Sequence, residues 1–375
     1  MLLTSLAGAM FRWGSLWANR WAVNGSSILK CPEETRYRVT NATENTFLGA
    51  LLGMAIGDAL GAPLIGLTGE EIAQRYSSVN SYLPLTDPAS GETHRGEFTD
   101  ETEIALCLVE SMTANGGRID PETAGMRMVH LATGASRHWL QAATASALDR
   151  AGETLDFTLP LSGDQEPATG DVASRGVPIG LMHAVGRFDP ARLHADALTA
   201  AQLTDGSPAA AEAVAAVAYL TRLAATGVPA RDFARETARF LGSGEVASSL
   251  ERLDTLLDTA TMSEIVRAFG DDILAQEVIP TAVAAAVGGN RFEDAVSAAV
   301  EAGGATDTRG ALAGALSGAS GGAAGIPQGL IDALEGRIYV SLAGPWFYKA
   351  ARQRAGQLID LRPVHGPRPS MPPRQ

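Results

Sequence analysis

The stretch GALLGMAIGDALGAP, residues 49–63, places Gly49, Gly53, Gly57 and Gly61 four residues apart inside an apolar run. A glycine in a helix interior costs about 1 kcal/mol relative to alanine, so the repetition needs a compensating gain. In a helix, a spacing of four lines one face. A face without side chains lets two helices approach more closely than the usual separation of about 8–10 Å between axes. A second ladder, RGALAGALSGASGG, carries Gly310, Gly314 and Gly318 at the same spacing. Either ladder alone is explained by tight packing of buried helices. Composition agrees with closely packed helices: the chain is 46% hydrophobic and only 6% aromatic, a poor match to a β-sandwich.

At 375 residues the chain has room for one large domain or two small ones. Its net charge of −13 argues against a nucleic-acid partner, which needs a basic face. The two cysteines, Cys31 and Cys107, form no CxxC or Cys/His metal spacing. Residues 1–45 share no periodicity with the rest of the chain and are expected to be a poorly ordered extension. Residues 361–375 are proline-rich and are expected to be a disordered tail. The compact domain is expected over 46–360. The longest apolar runs are interrupted by Asp58 or by glycine and charge, so no membrane span is expected, and the chain reads as cytoplasmic. Helical patterns recur, as in TDETEIALCLVESMTANGG, which puts Ile104, Leu108 and Met112 on one face and stops at a glycine pair. Long loops are expected at 77–98 and 152–178.

Two Thr/Asp clusters stand at expected helix starts. One is GEFTDETE, with Thr99, Asp100 and Glu101; the other is GGATDTRG, with Asp307 and Thr308. Capping alone explains such clusters, since Thr or Asp at an N-cap stabilises a helix by about 1 kcal/mol. Together they also offer carboxylate and hydroxyl oxygens, the ligands that Mg²⁺ or Mn²⁺ prefers. No P-loop, dinucleotide fingerprint or Ser-His-Asp spacing competes with this reading.

The segments GALLGMAIGDALGAP, RGEFTDETEIALCLVESM, RGVPIGL and GGATDTRGALAGALSGASGGAAGIP occur in the order found in ADP-ribosylglycohydrolases. Over roughly residues 46–340 the chain resembles that family. The resemblance implies an all-α, orthogonal multi-helix bundle, a binuclear Mg²⁺ or Mn²⁺ site, and hydrolysis at the C1″ carbon of ADP-ribose. It implies an ADP-ribose-containing substrate, including an ADP-ribosylated protein, and a monomer. By motif, Thr99, Asp100, Glu101, Asp307 and Thr308 match metal ligands, with Asp100 or Glu101 as the proton acceptor. Gly170, Asp171 and Arg175 match the stretch that contacts substrate. Asp58, grouped with them, is expected to orient a ligand rather than to touch metal.

The chain departs from the family where chemistry is done. Ala305 stands in place of a metal-binding aspartate, and Glu101 in place of the second aspartate of T-D-D. Ile65 stands where a glutamate often lies, and Asp205 where the family has histidine. Loss of the carboxylate implies one ion where the family holds two. The alternative is a weak or inactive relative that binds ADP-ribose or a protein. His94 precedes the first acidic cluster and is more readily a surface residue than a substrate contact. His130, His138, His183 and His194 are expected to be structural.

Overall fold

The computed structural model describes residues 42–86, 91–157 and 168–357. The expected extension and tail fall almost wholly outside them. Packing starts before residue 46: Ala42 is buried, and Thr43 and Thr46 form a reciprocal capping box that opens helix α1 (Glu44–Gly61). After α1 come α2 (Gly69–Arg75) and a two-stranded antiparallel ribbon, β1 (Leu85–Thr86) and β2 (Thr93–His94), pairing Leu85 with His94. Then come α3 (Asp100–Ala114), α4 (Pro121–Thr133), α5 (Ala142–Thr154), α6 (Gly170–Ser174), α7 (Gly176–Met182), α8 (Pro190–Gln202) and α9 (Pro208–Ala225). The series continues with α10 (Phe233–Leu241), α11 (Glu245–Leu256), α12 (Met262–Phe269), α13 (Ala275–Gly288) and α14 (Phe292–Val300). It ends with α15 (Thr306–Gly321), α16 (Gln328–Ala333) and α17 (Arg337–Arg354). The fold is all-α, as expected.

The two ladders pack on each other. A methyl added at Gly49 would strike Gly318, one at Gly53 would strike Gly314, and one at Gly57 would strike Gly310, each time at the backbone carbonyl. The partner number falls by four as the ladder number rises by four, so α1 and α15 run antiparallel in register. The fourth rung pairs Gly61 with Thr306, whose hydroxyl donates to the Gly61 carbonyl at 2.8 Å. Backbone contact at each rung offsets the helix cost of the glycines. It also brings the last turn of α1 against the first turn of α15. The loops beyond these ends are tied together by Gly66 N–H to Gly304 O (2.9 Å) and Gly304 N–H to Leu67 O (2.8 Å).

By length and composition Glu44–Leu64 would suffice to cross a membrane, with mean hydropathy 1.6. In the fold, 89% of its most apolar 18-residue window is buried, which is the behaviour of a core helix. In α3, Ile104, Leu108 and Met112 are buried as expected, and Cys107 is a buried thiol. The expected loop at 152–178 is corrected at both described ends. Helix α5 runs to Thr154, and α6 and α7 occupy most of Gly170–Met182. The ribbon also interrupts the expected loop at 77–98. A third glycine pair, Gly176 and Gly180, seats α7 on α9, where added methyls would strike the Val214 and Ala218 carbonyls.

Candidate active site

Helix α3 starts at Thr99, yet the Thr99 side chain does not cap it. Asp58, from the last turn of α1, does so instead. Its Oδ1 accepts from the Thr99 N–H (3.0 Å) and hydroxyl (2.9 Å). Its Oδ2 accepts from the Thr102 N–H (3.2 Å) and hydroxyl (2.6 Å). The simple capping-box reading of this helix start is therefore overturned. Both Asp58 oxygens are consumed, and the residue is fully buried. Asp58 positions α3 and does not face a substrate, which corrects its grouping with the substrate contacts. Thr102 escapes sequence reasoning, because a threonine inside TDETE carries no sign of its distant acceptor.

Glu101 joins the two acidic helix starts. Its Oε1 accepts from the Thr308 hydroxyl at 2.6 Å across 207 positions of sequence, and its Oε2 accepts from the Thr99 hydroxyl. The Thr99 hydroxyl has one proton yet lies against both Asp58 and Glu101. One of those contacts needs a protonated carboxyl or a cation. Asp307, at the start of α15, accepts from the Thr308 N–H at 2.8 Å. Asp100 is buried, and its Oδ2 has no donor.

Electrostatics sets this cluster apart from ordinary capping. Burial foremost, then the charges of Glu101, Asp171, Asp307 and Asp58, drives the Asp100 carboxyl far above the usual carboxylate range. Burial and the charges of Glu101 and Asp58 raise Asp307 likewise. Burial and Glu101 raise Asp58 despite its four donors. Burial raises Glu101 against the pull of the Thr308 and Thr99 hydroxyls.

Asp171, in α6, belongs to the same group. Thr144 donates to its Oδ2 at 3.2 Å, while Oδ1 is buried without a donor. Gly170 and Arg175, the other two expected substrate contacts, are buried beside it. The Gly170 N–H donates to the Ile273 carbonyl at 2.7 Å, and a Cβ there would press the Thr308 methyl and Val278. Gly170 is thus a close-packing position. Arg175 is fully buried; its Nη1 donates to the Ala200 carbonyl at 3.1 Å, while its Nε and Nη2 are buried without an acceptor. A second buried arginine, Arg309, holds the Gly303 and Gly270 carbonyls. Nothing marks it in GGATDTRG, since its acceptors are backbone groups, some of them in a distant loop. Among the described residues, neither arginine forms an ion pair with a cluster carboxylate, although Arg175 feels Asp171 and Asp100, and Arg309 feels Asp307.

Five buried carboxylates therefore face two arginines whose hydrogen bonds go to carbonyls. An uncompensated buried charge of this kind is unfavourable. The carboxylates of Asp100, Glu101 and Asp307, with the hydroxyls of Thr99 and Thr308, offer the hard oxygens that suit Mg²⁺ or Mn²⁺, and Asp100 Oδ2 and Asp171 Oδ1 remain as acceptors without a donor. Among the departing positions, Ala305 is buried at the start of α15, Ile65 is 45% exposed, and the Asp205 Oδ1 accepts from the Ser207 N–H at 2.7 Å. His94 lies outside the cluster, against Glu92 and Glu335 at 3.7 Å each. His183 is a buried structural residue bonded to Asp196.

Known proteins resemble this chain along the same lines. The family model described as ADP-ribosylglycohydrolase matches residues 39–366. An uncharacterized protein of Archaeoglobus fulgidus is 29% identical over 279 residues, 72% of this chain and 85% of that one. The ADP-ribosyl-[dinitrogen reductase] glycohydrolase of Rhodospirillum rubrum is 42% identical over 69 residues, 18% of this chain and 22% of that enzyme. The ADP-ribosylarginine hydrolase Tri1 of Serratia proteamaculans is 40% identical over 75 residues, 19% of this chain and 17% of that enzyme. A solved structure described as an ADP-ribosylglycohydrolase-related protein complex superposes with a TM-score of 0.63 at 29% identity, covering 82% of this chain and 98% of that one.

Proposed function

The chain belongs to the ADP-ribosylglycohydrolase family of hydrolases, and on that premise we propose that it is a metal-dependent enzyme cleaving the glycosidic bond at C1″ of an ADP-ribosyl group. One observation carries the reading: two helix starts 207 positions apart meet through Glu101 and Thr308 in a buried, uncompensated acid cluster. Thr99, Asp100, Glu101, Asp307 and Thr308 would hold the ion. Bound Mg²⁺ or Mn²⁺ supplies charge compensation and lowers the pKa of a coordinated water. With Ala305 in place of a carboxylate, one ion is proposed rather than two.

The residues then divide the work. Asp100 Oδ2, an acceptor without a donor, orients the attacking water and takes its proton. The negative charge of Glu101 and Asp307 stabilises the positive charge that develops on the ribosyl ring in an oxocarbenium-like state. Asp171 Oδ1 is free to accept from a sugar hydroxyl. Asp58 keeps Thr99 and Thr102 fixed, so Asp100 and Glu101 keep their aim.

ADP-ribosylarginine is the first substrate to test, because the name of one relative specifies it. A panel of arginine-linked, serine-linked and small-molecule ADP-ribosides, assayed with Mg²⁺ and with Mn²⁺, tests the proposal. Release from at least one, lost with EDTA, supports it. ADP-ribose binding without release from any of them would reassign the chain as a binding relative.

A further inference from the structure

The far end of α7 carries a group of charges that the acid cluster does not use. His183 comes directly after α7, and its Nε2 donates to Asp196 Oδ2 at 2.8 Å. Arg354, the last residue of α17, donates to the same oxygen from Nη2 at 2.7 Å. Its side chain is only 7% exposed, and its Nη1 is buried with no acceptor. Arg354 lines a cavity of about 610 Å³, together with His183, Arg187, Phe188 and Arg192. Arg118 stands nearby as well. Burial foremost, then the charges of Arg192 and Arg118, holds the Arg354 guanidinium below its ordinary value against the pull of Asp196.

The local charge runs against that of the whole chain. The protein carries a net −13, yet Arg187, Arg192 and Arg354 line this cavity with one carboxylate, Asp189, while Asp196 lies against Arg354. Both are occupied. Asp196 binds His183 and Arg354, and Asp189 Oδ1 accepts from the Ala191 and Arg192 N–H groups at the start of α8. Among the described residues, Arg118, Arg187 and Arg192 form no ion pair. A buried guanidinium N–H without an acceptor, as at Arg354 Nη1, carries a cost. The unpaired Arg187 and Arg192 and the unaccepted Arg354 Nη1 offer donors to a phosphoryl group, which carries about −1.5 to −2 near pH 7. Arginine is the side chain best suited to bind one.

We propose that this cavity is a second anion site, distinct from the acid cluster, which takes a phosphate group, either free or on a small organic body. Helix α7 and its flanking residues, Arg175 to His183, separate it from the acid cluster by about 12 Å of helix rise. The site uses Arg354 as its buried floor and Arg187 and Arg192 as its outer rim.

Isothermal titration of the full chain with inorganic phosphate, in EDTA and at constant ionic strength, tests this. Saturable one-site binding is expected, with chloride giving none. An Arg187→Ala/Arg192→Ala double variant, which removes exposed or half-buried side chains, should bind at least tenfold more weakly with an unchanged circular dichroism spectrum. Arg354→Gln should lose binding too, but it risks the fold, so the double variant decides. Titration with AMP separates the two sources. Tighter binding than phosphate, lost in the same double variant, assigns the cavity to a nucleotide-like body; equal affinity assigns it to phosphate alone. Absence of saturable binding for both probes, or undiminished affinity in the double variant, would overturn the proposal.

Discussion

Asp58 and Ala305 show how single residues set this site. Asp58 accepts four hydrogen bonds from Thr99 and Thr102. Asp58→Ala strands two N–H groups and two hydroxyls in a buried place. It should destabilise the fold by on the order of 3 kcal/mol and abolish activity, measured by urea denaturation and by ADP-ribose release. Ala305 is buried, at the position that by motif matches a metal-binding aspartate. Ala305→Asp should raise Mg²⁺ affinity or increase the number of ions bound, read by calorimetry and metal analysis. Helix capping by the new aspartate would raise stability without changing stoichiometry, so stoichiometry is the deciding readout. The acidic residues themselves are legible in the sequence as Thr/Asp clusters at helix starts. The packing partners of Gly170 and Arg175 are not, because Ile273, Thr308 and Ala200 are distant in sequence and mostly backbone or methyl groups.

At the scale of elements, the ladders are the most legible feature, since a period of four implies one helix face whatever the fold. Their pairing in register is not legible, and it ends at Thr306 on Gly61 and so delivers Asp307 to the site. Gly57→Ala would drive a methyl into the Gly310 carbonyl. It should cost about 3 kcal/mol, the upper end of ordinary overpacking, because the obstacle is backbone. Gly321→Ala meets nothing within 4 Å and should be neutral or stabilising by up to about 1 kcal/mol. Chemical denaturation of both variants checks the contrast. Helices α6 and α7 read as loop because TGDVASRGVPIGL holds three glycines and a proline. Helix propensity there is poor, and the helices form because Gly176 and Gly180 fit onto α9, a tertiary gain that outweighs local preference.

At the scale of the whole molecule, the His183–Asp196–Arg354 contact ties the end of α7 to α8 and α17. Burial holds His183 below its ordinary pKa, whereas the unfolded chain takes up a proton near pH 6.5. Stability from this group is therefore full above pH 6.5 and is lost as pH falls through the lowered folded value. For Asp196, burial pulls upward, but His183 and Arg354 outweigh it and hold the carboxyl low, so its contribution has the same sign. The stability advantage of wild type over His183→Gln should accordingly narrow between pH 7 and pH 5. The proposed cation at the acid cluster would match its buried charge and so link folding, metal and catalysis in one place. Parallel titration of Mg²⁺ occupancy and of ADP-ribose release from ADP-ribosylarginine is the most direct test of that link. The two curves should share one midpoint, and both should vanish in Asp307→Ala. Release that persists in EDTA, or full Mg²⁺ occupancy with ADP-ribose bound and no turnover, would contradict it.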